Sequence, residues 1–522
     1  MPLQLDCDLN GASVPLRHPW RRCIGSCHAP TALRADWQAQ LRQARAELGF
    51  EYIRFHGLLG DGMGTVSRPA EAGVGADGGE LVYSFFNIDQ IFDFLLSIGM
   101  RPVIELSFMP SALASGSDTV FHYRANITPP RDMAQWAELV RRLAAHCVER
   151  YGIAEVAQWY FEVWNEPNLR QFWTGSQQEY FALYEASVTA IKGVDARLLV
   201  GGPATAQNAW IEDFMQFCST RQLPVDFVST HFYPTDAFGE VGADTLTQLE
   251  HTPLDEMRTR ALTARGQAQG KPLFYTEWNT SSNPRDTLHD SSFGAAFAAR
   301  IALSVDDVVD AYSYWVFSDI FEELSFPSAP FHGGFGLLNL HGIKKPAHKA
   351  FELLAELGDR HFPVVQQQTQ QHATVALWVG EKGEHAAETH ILCVNQAMPR
   401  HAIQTEDIAV RLHTRPGETV KSATLVRIDD TSCNPALLWK QMGQPGYLSA
   451  GEIETLKKST ELLEAVAEFD TGAVHTIVTF QAAPQSLSFL RIIWEHLDHD
   501  VLPKSEHTAA ASLALQSAER LI

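Results

Sequence analysis

A chain of 522 residues with 45 % apolar and 20 % charged side chains has globular composition and ample core, enough for one large domain and a smaller companion. Its formal net charge of −22 argues against nucleic acid and anionic membrane surfaces as partners, and favours a small neutral substrate over a strongly anionic one. The same charge opposes close self-association, so a monomer is expected over a homo-oligomer.

The opening, MPLQLDCDLNGASVPLRHPW, holds no apolar run able to serve as a secretory signal core. No stretch of about 18 apolar residues follows, so a cytoplasmic protein without a membrane span is expected. Residues 1–15 form an amino-terminal segment in which QLDCDLN is expected to join a later sheet. The seven cysteines (Cys7, Cys23, Cys27, Cys147, Cys218, Cys393, Cys433) are odd in number and scattered, as reduced thiols are. Cys23 and Cys27 lie near His28, but no second ligand pair follows at zinc spacing; no metal and no cofactor are expected.

Over residues 16–355 short apolar runs alternate with longer amphipathic ones. The strand-like runs are Arg22–Ser26, Tyr52–Phe55, Pro102–Leu106, Tyr160–Trp164, Leu198–Gly201, Phe227–Thr230, Leu273–Thr276 and Ala311–Trp315. Between them ADWQAQLRQARAELG, NIDQIFDFLLSIG, MAQWAELVRRLAAHCVERYG and QEYFALYEASVTAIKGV repeat apolar residues at three- and four-residue spacing, as a helix packed on a sheet requires. Eight such units predict a TIM (β/α)8 barrel. A doubly wound sheet competes, but no glycine-rich phosphate fingerprint follows the first strand. From residue 356 to 495 the pattern changes to ATVALWVG, THILCVNQ, IAVRLHT, SATLVRI and VHTIVTFQ, ending with Ser486–Trp494, which predicts an all-β sandwich. Residues 496–522 are expected to be a helical or disordered tail.

In a TIM barrel the carboxy-terminal ends of the strands build the site. Strand four, YFEVWNEPN, ends in Asn165 and Glu166; strand seven, PLFYTEWN, ends in Glu277. Paired carboxyl groups across a barrel mouth are what retaining glycoside cleavage needs: one protonates the leaving oxygen and the other attacks the anomeric carbon. Glu166 is therefore the predicted acid/base and Glu277 the predicted nucleophile. Asn165 can donate to the sugar 2-OH. Strand six ends STHFYP, and alternation puts His231 and Tyr233 on one face, the tyrosine able to orient Glu277. His56 of RFHG can bind a sugar hydroxyl, Trp315 can floor the sugar, and Glu322 and Glu323 can accept from its hydroxyls.

Together RFHG, VWNEPN, STHFY, YTEWN and WVFSDIFEE resemble the signature set of glycoside hydrolase family 39, most strongly its bacterial β-xylosidases, over about Ile53 to Leu338. The resemblance implies a barrel with a β-sandwich accessory domain, Glu166 and Glu277 in the roles above, and an exo-acting β-D-xylosidase releasing xylose by double displacement. It also implies that His56, Asn165, His231, Tyr233, Glu322 and Glu323 hold the sugar, that Trp315 walls the site, and that Phe172 of NLRQFW stands at the entrance. The alternatives are an α-L-iduronidase-like or exopolysaccharide-cleaving enzyme of the same family, or a barrel that binds glycan without cutting it. Repulsion between an iduronate carboxylate and Glu322 plus Glu323, roughly 4 kcal/mol per close contact, is expected to disfavour the first.

Overall fold

The computed structural model describes residues 2–68, 80–235, 244–366, 373–383, 387–472 and 474–496. The expected tail lies, past His496, outside the described residues.

Eight parallel strands, Cys23–His28, Tyr52–His56, Arg101–Leu106, Tyr160–Val163, Leu199–Thr205, Phe227–His231, Leu273–Trp278 and Ala311–Tyr314, close into a barrel in chain order. Each coincides with one expected run, the fifth extending past Gly201 to Thr205. A helix follows every strand and covers the barrel, as parallel strands buried on both faces require. The helix Gln177–Val194 shows how the sequence specifies one. Ser176 caps it by accepting the Glu179 N–H at 3.2 Å, while the Glu179 carboxylate takes the Ser176 N–H at 2.7 Å. Its buried Tyr180, Leu183, Tyr184, Val188 and Ile191 fall at three- and four-residue spacing against the sheet. Ala35–Leu48 stops at Gly49, whose φ of 77° lies in the left-handed region that glycine adopts without penalty.

Two further sheets pack face to face. One orders Val364–Gln366, Leu3–Asp8, Glu406–His413, His475–Ala482 and Glu468–Thr471; the other orders Val14–Pro15, Arg360–Phe362, Val375–Lys382, Glu388–Asn395, Ser486–His496, Glu418–Ile428 and Ala465–Val466. The amino-terminal strand pairs in parallel with Glu406–His413, burying Leu3, Leu5 and Cys7 in the inter-sheet core beside Ile391, Val410 and Leu490. The chain thus passes through the sandwich before it enters the barrel. Leu392 and Val394 point from the opposite face of the same strand into the barrel's core. Burial on both faces explains why Ile391, Leu392, Cys393 and Val394 run continuously apolar rather than alternating.

The carboxy-terminal region is not purely strand. Pro435–Gln441 and Ala450–Lys458 are helices, the second opened by a capping box between Ser449 and Glu452. Their Trp439 and Leu456 pack on Phe331 and Ile343 of the segment that follows the last barrel strand. No described helix is long and apolar enough to cross a membrane.

Candidate active site

The barrel interior is built in layers. At the bottom, Tyr52, Val103 and Tyr160 pack with Cys23, and Phe227 with Phe274 and Ala311. Tyr160 meets the Phe274 ring edge-to-face at 4.9 Å, so this end is plugged rather than open.

Above the plug lies a layer of charge. Arg54 precedes His56 by two residues, so strand alternation turns both inward. Its guanidinium, fully buried, donates from Nε to Glu162, from Nη1 to Glu277 Oε1 at 2.7 Å and from Nη2 to Asn165 Oδ1 at 2.9 Å, and Nη2 lies 2.7 Å from Glu105 Oε2. One cation is shared among three carboxyl groups, a set that is stable only while every member keeps its partner. The bond to Asn165 Oδ1 also fixes the side-chain amide, leaving its NH2 free to face the cavity. Burial works against the Glu105 carboxylate, but Arg54 and His56 outweigh it and hold its pKa below the ordinary value.

The top layer carries the paired carboxyl groups. Glu277 Oε1 receives Arg54, and Glu277 Oε2 receives the Tyr233 hydroxyl at 2.9 Å, so both oxygens are oriented. Burial lifts the Glu277 pKa above the carboxylate norm; Arg54, His56 and Tyr233 oppose that rise. Glu166 Oε1 lies 2.9 Å from His231 Nδ1, and its backbone N–H donates to Ala204 O at 2.8 Å. The strand end turns sharply here, with left-handed φ of 70° at Trp164 and 43° at Glu166. Such backbone costs of order 1–3 kcal/mol per residue, and it aims consecutive side chains into the mouth. Trp164 anchors the turn by donating from its indole to Phe172 O at 2.9 Å. One oxygen of Glu166 and one of Glu277 lie within 4.8 Å of each other. The two carboxyl groups therefore face each other at close range across the mouth.

These groups open on a cavity of about 570 Å³, ordinary for a small-molecule site. His56, Asn165, Glu166, Phe172, Tyr233, Glu277, Trp315 and Glu323 line it, joined by Phe121 and Phe335. The Trp315 indole fits against the first strand because residue 25 is glycine: a Cβ there would lie 2.5 Å from the ring. His231 stands behind the lining and reaches the site through Glu166.

Glu322 does not join the others. Its carboxylate takes His28 Nε2 at 3.1 Å and Arg34 Nη1 at 3.0 Å, and it does not line the cavity. Of the two, only Glu323 turns into the cavity. There burial, reinforced by Glu277 and Glu105 against the pull of His56 and Arg54, lifts its pKa to about 8. Glu323 is therefore mostly a neutral acid at pH 7, able to donate as well as accept. The repulsion expected from Glu322 and Glu323 against an anionic sugar is weakened, since Glu322 is ion-paired with His28 and Arg34 and burial favours the neutral form of Glu323. His56 donates to Glu105 Oε2 at 2.8 Å and holds Nε2 at 3.6 Å from both Glu277 Oε1 and Glu323 Oε1. Burial resists its charge, but Glu105 and then Glu277 raise its pKa.

Among the described residues two clusters have metal-like spacing: Glu166, His231 and Glu277, and Glu47, His348 and Glu352. In the first, the donor atoms are already bonded to Arg54, Tyr233, Thr276 and one another. In the second, Lys344 Nζ lies 2.8 Å from both Glu47 and Glu352 and supplies the cation.

Sequence reasoning passed over Arg54, Glu105, Glu162, Thr276, Phe121 and Phe335. The signal for the first three was present: charged residues at inward positions of otherwise apolar barrel strands are almost never buried unless paired.

Residues 3–472 match the family model described as Glycosyl hydrolases family 39. The chain is 46 % identical over 445 residues to a beta-xylosidase of Caldicellulosiruptor saccharolyticus, spanning 85 % of this chain and 88 % of that one. It is 39 % identical over 455 residues to a beta-xylosidase of Geobacillus stearothermophilus, spanning 84 % and 85 %. Among solved structures it is similar to a monomeric beta-xylosidase from Caulobacter crescentus CB15, with TM-score 0.80, 32 % identity, and 94 % of this chain and 99 % of that one covered. The layered barrel with its charged upper floor and the match over nearly the whole chain agree, and the protein belongs to glycosyl hydrolase family 39.

Proposed function

We propose that this chain is a retaining, exo-acting β-D-xylosidase in which Glu277 is the nucleophile and Glu166 the general acid/base. The observation that carries the reading is the close, asymmetric carboxyl pair. Both oxygens of Glu277 are hydrogen-bonded by Arg54 and Tyr233, which suits an oriented carboxylate, while Glu166 touches an imidazole. In the first step Glu277 attacks the anomeric carbon as Glu166 gives its proton to the departing oxygen, leaving a xylosyl ester on Glu277. In the second, Glu166 takes a proton from water, which attacks the same carbon and releases Glu277.

A neutral glycone is supported by the lining, which among the described residues includes no lysine or arginine. Arg54 lies beneath it with its donors engaged by three carboxyl groups and Asn165. Among the described lining residues an iduronate carboxylate meets no lysine or arginine, and the one imidazole, His56, is held by Glu105. Exo action is supported by His56, Trp315 and Glu323, lining residues that are themselves buried, as a fitted site for one terminal sugar requires. On a panel of aryl glycosides, the β-D-xyloside should exceed the β-D-glucoside in kcat/KM on the order of 10²-fold, and xylo-oligosaccharides should release xylose as their only small first product. Internal fragments, or equal rates on the α-L-iduronide, contradict the reading. Binding without hydrolysis on every glycoside favours a non-catalytic barrel.

The Tyr233 hydroxyl stabilises the ionised form of Glu277. Tyr233→Phe should therefore raise the Glu277 pKa and move the acidic limb of kcat/KM upward by about one pH unit, a shift worth about 1.4 kcal/mol. A pH–rate profile of the two proteins checks this; an unmoved limb shows that the contact does not govern the nucleophile's charge.

A monomer is supported by the net charge of −22, and the similar Caulobacter protein is described as monomeric. A reducing, cytoplasmic setting is supported by seven cysteines that are all buried and free.

A further inference from the structure

We propose that Thr276 and Glu162 act as positioning residues that fix the tautomer of His231 and so hold Glu166 protonated before substrate arrives. The inference rests on the reading of Glu166 as the acid/base and explains how its proton is kept.

Glu162 Oε2 receives the Arg54 Nε–H, and Glu162 Oε1 lies 2.8 Å from Thr276 Oγ1. A carboxylate gripped by a guanidinium is an acceptor, so the single hydroxyl proton of Thr276 points to Glu162. Thr276 Oγ1 also lies 3.1 Å from His231 Nε2. With its own proton already used, the hydroxyl can only accept there, and Nε2 must carry a hydrogen. Burial, and after it Arg54 and His56, push the His231 pKa well below its ordinary value, so the ring is neutral and Nδ1 is bare. Nδ1 lies 2.9 Å from Glu166 Oε1. Two lone pairs do not bond, so the hydrogen in that contact belongs to Glu166.

Other charged or titratable groups surround the imidazole. Glu277 Oε2 is 3.7 Å from Nδ1, too long for a hydrogen bond and already taken by Tyr233. Arg54 and His56 from the second strand favour the neutral ring, Glu105 is hydrogen-bonded to His56, and Glu323 lies 3.6 Å from the His56 ring. None of these supplies a proton to Nδ1. The same bare nitrogen serves both chemical steps. It disfavours the Glu166 carboxylate, which keeps the acid loaded. Once Glu166 has given its proton to the leaving oxygen, that carboxylate is a stronger base toward the incoming water, whose proton restores the starting state.

The decisive observation is made on the unaltered protein. Long-range 1H–15N spectra of protein labelled with 15N-histidine, with His231 assigned by its loss in His231→Asn, should show the Nε2–H tautomer; a proton on Nδ1 overturns the proposal. Thr276→Val removes the acceptor, freeing the ring to place its hydrogen on Nδ1 and donate to the Glu166 carboxylate. The basic limb of kcat/KM on xylobiose should then move about one unit toward acid, about a tenfold loss above the limb, and Thr276→Ser should restore it. A folded Thr276→Val protein with an unmoved basic limb also overturns the proposal. Absence of hydrolysis by the unaltered protein would refute the glycosidase reading alone, since the tautomer is read without turnover.

Discussion

Glu277→Ala should lose turnover on the order of 10⁵-fold and regain it when azide is added, giving the α-xylosyl azide. The variant loses the group that attacks from the face opposite the leaving oxygen, and with it the acceptor of Arg54 and Tyr233. The small anion enters the space left by the carboxylate and attacks from that same face, so the product is inverted relative to a β-xyloside. Rescue needs the rest of the site intact, which follows because Arg54 keeps Glu105, Glu162 and Asn165 as partners. Product analysis by NMR checks the outcome; a retained β-azide would transfer the nucleophile's role to another residue.

Glu166→Gln should separate substrates by leaving group. Xylobiose, whose alkoxide leaves poorly, should slow by about 10²–10⁴-fold, while a dinitrophenyl xyloside should keep a far larger share of its first-step rate. The amide preserves size but has no proton to give, and it cannot serve as base in the second step. The basic limb of the pH profile should disappear with the carboxyl group, while the acidic limb set by Glu277 stays. Equal losses on both substrates would mean that Glu166 only shapes the site.

Much of this was legible in the chain itself. Eight apolar runs separated by amphipathic helices leave little choice but a closed parallel barrel, and YFEVWNEPN and YTEWN end in carboxyl groups at strand tops that face one another. Tyr233 could be placed with His231 because strand alternation puts both on one face, and Asn165, His56 and Trp315 stood out because they end strand runs at the barrel mouth. Loop residues carry no such period. Glu322 and Glu323 are chemically identical neighbours, and only the position of His28 and Arg34 decides that one leaves the site. Charge state was hidden for the same reason: the pKa of about 8 at Glu323 comes from burial and from Glu277 and Glu105, which lie on other strands. Arg54 stood in view within RFHG, yet its meaning needs Glu105 and Glu162 beside it, and those contacts exist only once the barrel closes. The two helices after Ile428 were missed because they are short pieces among strong strands, although Ser449 and Glu452 spell a capping box.

The central claim is that Glu277 forms a covalent bond to the sugar during turnover. The most direct test is to incubate the unaltered enzyme with 2,4-dinitrophenyl 2-deoxy-2-fluoro-β-D-xyloside, whose fluorine slows the second step more than its good leaving group permits the first to be slowed. Proteolysis and mass spectrometry should then find one fluoroxylosyl group per chain, carried by the peptide containing YTEWN and located on Glu277. A label on any other residue, or steady hydrolysis with no covalent adduct and an inverted sugar product, would contradict the account.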